Sequence, residues 1–154
     1  MNAKYKVLNT RDVKELLKKL EDAYGFTSKL DYAFLEDSKH NLFVIHRDVE
    51  LVDYGLIHVN SMGLYFGETN KYKEFRLSLE GSQIIGPHAS KNVLDLNDEQ
   101  ARAYFLGGDV QIEHPNTVFV LLRHRGDYMG AAKVKDGKLL NYLPKVHRTK
   151  ELLL

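Results

Sequence analysis

The fold turns on "NDEQARAYFLGGDVQIE" (residues 97–113) and the two runs that follow it, "TVFVLLRHR" (117–125) and "DYMGAAKVKDGKLLNYLP" (127–144). Asn97 can cap a helix, Gln100 sits at the reciprocal capping-box position, and Asp98 and Glu99 suit the positive end of the helix dipole. Gly107 and Gly108 supply the stop. Beyond them the helical period disappears. "DVQIE", "TVFVLLRHR", "DYMGAAKVKDG" and "KLLNYLP" read as four β stretches, with turns at "HPN", "RGD" and "KDG". The unbroken apolar run Val118–Leu122 suits a fully buried strand. A short strand, "NVLDL", precedes the helix. Strand, helix and then several strands predict a small curved sheet or pseudo-barrel with one helix over an end.

Working back toward the N-terminus, Val13, Leu16, Leu17, Leu20 and Tyr24 recur at helical spacing, with charged residues on the opposite face. Thr10 is the expected cap and Gly25 the left-handed stop. From Leu30 to Leu79 the pattern changes to short β-rich runs: "DYAFLE", "NLFVIHRD", "GLIHV", "GLYFGE" and "EFRLSL". "DSKH", "NSMG" and "ETNKYK" punctuate them as turns. Sequential short strands favour antiparallel pairing, so the expected class is α+β. "LEGSQIIGPHA" reads as a short helix ending near Pro87. No repeat or flexible linker separates the two halves, which are expected to pack directly.

The chain has 154 residues, 22 Lys or Arg against 21 Asp or Glu, and no cysteine. That balance conceals a strong asymmetry. Residues 121–150 hold eight cations and two carboxylates (8 − 2 = +6), whereas residues 91–120 hold two and five (2 − 5 = −3). No apolar run approaches the ~20 residues that span a bilayer. The N-terminal stretch has no apolar signal core, so the cytoplasm is the expected compartment. Without cysteine there are no disulfides, zinc–thiolate sites or thiol nucleophiles.

No catalytic constellation is found. The histidines, among them His40, His46, His114, His124 and His147, match no zinc-ligand spacing. "EGSQIIG" is not a nucleophile elbow, and "GLYFGE" is neither a dinucleotide fingerprint nor a phosphate loop. The basic segment is the remaining signal. Lys133 and Lys135 share a strand face, the "KDG" turn returns Lys138 toward them, and "LPKVHR" adds Lys145, His147 and Arg148. Arg123 and Arg125 share a face of the preceding strand. Tyr128 and Tyr142 lie among these charges. Tyr142 reads equally as a base-stacking ring or as core. Such a surface suits phosphate binding that weakens with salt; the competing reading is a solvated face paired with carboxylates from elsewhere.

Residues 96–148 resemble the PUA-like RNA-binding domain, and more narrowly the C-terminal PUA-like module of Sun-family RNA cytosine-5 methyltransferases. The resemblance rests on Gly108, Asp109 and Val110 after the helix, then on Gly130, Lys133, Gly137, Asn141, Pro144 and Lys145. Ala132 stands where a glycine is usual. Upstream, "GLYFGETNKYKEFRLSLEGSQIIGPHASKNVLDL" is similar to the Nip-type ribosome-biogenesis proteins, which place an α+β domain before PUA. The resemblance therefore implies an N-terminal α+β domain over residues 1–88 and a PUA-like domain over 89–154. It implies binding of ribosomal or transfer RNA with no cofactor. It implies no methyl transfer by this chain, because that chemistry needs a cysteine nucleophile and an S-adenosylmethionine fold. Partners would be a separate RNA methyltransferase or ribosome-assembly factors, and no membrane.

The expected RNA-binding residues are Lys91, Arg123, Arg125, Lys133, Lys135, Lys138, Tyr142, Lys145, His147 and Arg148. By resemblance, Asn92, Gly107 and Gly108 join them, with Arg102 a secondary candidate. The alternative is a protein-interaction adaptor in an RNA-processing complex. It calls for an exposed apolar patch on the N-terminal half, for instance the Leu16–Leu20 helix face.

Overall fold

The computed structural model describes residues 4–53, 57, 59–114 and 118–148. Among these described residues, two five-stranded sheets and three α-helices make an α+β architecture. The first sheet is an antiparallel meander of β1 (Tyr5–Val7), β2 (Ala33–Asp37), β3 (Asn41–Ile45), β4 (Leu64–Thr69) and β5 (Phe75–Leu77), in that order. Between β1 and β2 runs α1 (Thr10–Tyr24), which buries Leu16, Leu20 and Tyr24. Its cap is Asn9, one residue before the expected Thr10: the Asn9 side chain accepts from the Asp12 N–H at 2.9 Å. Gly25 ends it with φ +65, as its position after Tyr24 predicts.

Two further departures from the sequence reading fall in this half. "NLFVIHRD" is strand only to Ile45, after which Arg47–Leu51 form a 3-10 turn. Gly55, Leu56 and His58 of the expected "GLIHV" strand lie outside the described residues, while Ile57 and Val59 are not in a strand. The helix α2 (Leu79–Ile85) then follows, capped by Ser78, whose Oγ accepts from the Gly81 N–H.

The second sheet has the order β6–β8–β9–β10–β7, built from β6 (Val93–Asp95), β7 (Val110–Gln111), β8 (Val118–His124), β9 (Asp127–Lys135) and β10 (Lys138–Leu140). β6 pairs with β8 in parallel and the remaining pairs are antiparallel. Between β6 and β7 lies α3 (Asp98–Phe105), with the full capping box of Asn97 and Gln100. The strand expected over "KLLNYLP" stops at Leu140, because Asn141 turns away to bond the end of α3.

The central strands β8 and β9 serve two cores. On one face, Val120, Leu122, Ala132 and Val134 pack with Ala101 and Tyr104 of α3. On the other, Leu121 and Ala131 join Leu16, Leu20, Tyr24, Phe34 and Phe66 of the N-terminal half. Alternation along a strand makes this possible, since every second side chain points the same way. The halves therefore pack directly. Asn92 fastens the join: its side-chain amide donates to the Ala23 carbonyl at 2.6 Å, and its own carbonyl accepts from the Leu121 N–H at 2.8 Å.

Candidate nucleic-acid interface

The basic segment divides into cations already engaged within the chain and cations that face solvent. Arg123, on β8, meets Asp95 because β6 lies parallel beside it, with Asp95 and Arg123 in register. Its Nε and Nη2 donate to Asp95 Oδ1 and Oδ2 at 2.6 and 2.8 Å. Arg125 leaves the strand face it was expected to share with Arg123. It occupies the β8–β9 turn with φ +50 and donates to both oxygens of Asp98, at 3.0 and 2.6 Å. His124 Nε2 lies 2.7 Å from the same carboxylate. These hydrogen bonds, from His124 and then Arg125, hold the Asp98 carboxyl below the usual carboxylate range; Arg123 does the same to Asp95.

Lys133 is also engaged. Its Nζ donates to Glu74 Oε1 and Oε2 at 3.0 and 3.2 Å, which links the second sheet to the residue just before β5, the edge strand of the first. Arg148 donates from Nε to the Leu143 carbonyl at 2.9 Å and lies against Gly107, while His147 stands 3.7 Å from Glu80. Carboxylates from elsewhere thus take up Arg123, Arg125 and Lys133, as the solvated-face reading expects.

Lys135, Lys138, Lys145 and Lys91 are exposed, and none has an ion pair among the described residues. Lys135 and Lys138 are direct cross-strand partners in the β9–β10 hairpin. Like charges facing each other across a ladder destabilise it, so this placement costs the hairpin some stability. Lys150 of the same basic window lies outside the described residues. The secondary candidate Arg102 is exposed in the last turn of α3.

Tyr142 is not core. It is 37% exposed, stands beyond the last strand, and carries the Arg76 guanidinium 4.4 Å from its ring centroid. Arg76, absent from the sequence-level set, bonds Glu68 on its other side. Phe119 lies 6.2 Å from Tyr142, centroid to centroid, with Lys133 Nζ 5.3 Å from the Phe119 ring. Neither contact of Tyr142 has a local sequence signal, because its partners lie far away along the chain. A recess of about 70 Å³ beside Tyr142 is lined by Arg76, Glu80, Tyr104 and His147. Burial pushes the Tyr104 phenol up to about 12.

Leu16 and Leu20 are 5% and 1% exposed, so the helix face that an adaptor would present is occupied by the chain's own core. Among the described residues no cluster of three or more His, Cys, Asp or Glu could hold a metal ion. No helix among them is long and apolar enough to cross a membrane.

Comparison with known proteins locates the same segment. Residues 91–149 match the family described as the methyltransferase RsmF PUA domain. The chain is 27% identical over 139 residues to a ribosomal RNA small subunit methyltransferase F of Aeromonas hydrophila, covering 90% of this chain and 28% of that protein. The protein of the same name from Aeromonas salmonicida is 29% identical over 92 residues, 59% of this chain and 19% of its own length. That of Vibrio vulnificus is 26% identical over 91 residues, with the same coverage. The chain thus spans less than a third of the length of these relatives. The segment is a PUA-like module resembling the C-terminal module of the Sun family, as its Gly108–Val110 and Asn141–Lys145 motifs imply.

Proposed function

We propose that this chain binds RNA and does not itself catalyse a reaction on it. The observation that carries the reading is the coincidence of the PUA match over 91–149 with Lys91, Lys135, Lys138 and Lys145, four exposed cations without carboxylate partners among the described residues. The relatives' name indicates ribosomal RNA as the substrate of those proteins, which supports ribosomal RNA, with transfer RNA next, as the ligand class here. The absence of cysteine from the sequence supports the non-catalytic part, since Sun-type chemistry needs a thiolate. The protein would act in ribosome biogenesis or RNA modification in the cytoplasm, beside a separate methyltransferase or assembly factors.

On this reading the phosphate contacts come first from Lys135, Lys138, Lys145 and Lys91, with His147 at the edge. Arg123, Arg125 and Lys133 chiefly hold the scaffold, and Arg148 shapes the loop over Gly107. The test is a fluorescence-anisotropy titration with ribosomal and transfer RNA between low and moderate salt. Neutralising about four phosphates on unpaired RNA gives a log–log salt slope near −3. Reversing Lys135, Lys138 and Lys145 to Glu should abolish most of that slope. Failure to bind either RNA at low salt would overturn the reading.

A further inference from the structure

A groove runs along the line where the two sheets meet. Lys19, Tyr24, Lys73, Phe75, Asn92 and Phe119 line it, and it encloses about 410 Å³. That lies within the range of small-ligand clefts, about 300–1,000 Å³. Phe119 leads out of the groove to Tyr142, and Tyr142 to Arg76, so an aromatic pair flanked by cations continues across the seam. β9 extends the same line, because Lys135 follows Lys133 at the two-residue spacing of one strand face.

The charge along this seam is not cancelled locally. On α1, Glu15 is paired with Arg11 and Asp22 with Lys18, and Lys19 has no ion pair among the described residues; its Nζ donates to the Lys73 carbonyl at 3.2 Å. Glu74 is bonded by Lys133 and by the Asn70 amide, and Glu68 by Arg76. Lys73 is exposed and has no ion pair among the described residues, and exposed Lys91 immediately precedes Asn92. The acids lining the groove, Asp22 and Glu74, are thus paired inside the chain, while Lys19, Lys73 and Lys91 have no ion pair among the described residues.

We infer that a single-stranded RNA segment crosses this seam, stacking a base against the Tyr142–Phe119 pair and laying phosphates on Lys19, Lys73 and Lys91. The inference rests on the RNA-binding reading and adds the N-terminal half to the surface. Stacking on a side-chain ring requires an unpaired base, because an A-form duplex presents its bases only edge-on. The seam therefore selects single strands, whereas the β9–β10 hairpin lysines accept phosphates of either form.

The chain has no tryptophan, so Tyr142→Trp provides a single fluorescent reporter. The probe is an oligouridylate of about twelve nucleotides, within the usual span of single-strand sites, compared with a duplex of equal length. Expected are quenching of the Tyr142→Trp signal by the single strand only, and none in a control at exposed Tyr32→Trp, just before β2. Tyr142→Ala should weaken single-strand binding at least about 5-fold, as loss of one stack requires. Tyr142→Phe should restore it, and Lys19→Glu with Lys73→Glu should flatten the salt slope by about 1.4. RNA binding that persists unchanged in all these variants, without quenching, overturns the seam and leaves the RNA-binding reading standing. Binding of neither RNA form by the unaltered protein overturns both.

Discussion

The Asn141 side-chain amide donates to two carbonyls at the end of α3, Tyr104 at 2.7 Å and Gly108 at 2.8 Å, while its Oδ1 accepts from the Leu143 N–H at 2.9 Å. One residue thus closes the helix and turns the chain out of β10 toward Pro144 and Lys145. Each such bond contributes about 1 kcal/mol net, so Asn141→Ala should destabilise the fold by about 2–3 kcal/mol in urea unfolding. Asn141→Asp should be no better, because it removes both donors and sets a negative charge against the carbonyls.

Asp98 links stability to pH. Its carboxyl is held below the ordinary aspartate value of about 3.9 by His124 and Arg125. A depressed folded-state value contributes stability that is complete above the unfolded value and is lost as pH falls through the folded one. Acid unfolding below about pH 4 should therefore be shallower in Asp98→Asn than in the unaltered protein. Equal slopes in pH-dependent urea midpoints would remove Asp98 from the account.

The same pairs predict an effect on RNA. If Asp95 and Asp98 keep Arg123 and Arg125 occupied, then Asp95→Asn with Asp98→Asn frees two guanidinium groups beside the basic surface. RNA affinity should rise and the salt slope should steepen by about 1.4. Arg123→Gln with Arg125→Gln should leave affinity nearly unchanged. A loss of affinity in that second variant would mean the arginines exchange Asp for phosphate on binding.

Lys138 should show opposite signs in two assays. Lys138→Glu replaces a like-charge cross-strand pair with an attractive one, which should stabilise the hairpin by a few tenths of a kcal/mol. The same change should weaken RNA binding. A thermal melt and an anisotropy titration on one preparation test both.

Helices α1 and α3 are legible in the sequence because their information is local: apolar spacing, Asn97 with Gln100, and Gly25 after Tyr24. The one-residue error at the start of α1 has a local cause too, since Asn9 and Thr10 are both capable caps and only Asn9 reaches the Asp12 N–H. The basic segment is equally visible as composition. Which of its cations are free is not, because that depends on register and topology. Arg123 meets Asp95 only when β6 lies parallel to β8, and Lys133 meets Glu74 only when β9 passes the edge of the first sheet. Tyr142 and Arg76 are separated by most of the second half of the chain, yet they are stacked.

The packing of the two halves has its own steric test at Gly86. This residue follows α2 with an ordinary helical φ of −52, so an alanine there meets no backbone penalty. A Cβ would nevertheless lie 2.3–2.5 Å from Cδ1, Cε1 and Cγ of Tyr128 on β9. Tyr128 is packed against the N-terminal core and holds the Arg123 guanidinium 6.0 Å from its ring, so the ring cannot swing aside without loss. Gly86→Ala should cost about 1–3 kcal/mol, the usual range for overpacking. Combined with Tyr128→Ala, much of that cost should vanish, since the second change removes the ring that the methyl strikes. The two substitutions would then be less than additive in a double-mutant cycle, as contact between them demands. Additive effects would mean that α2 and β9 relax independently of each other.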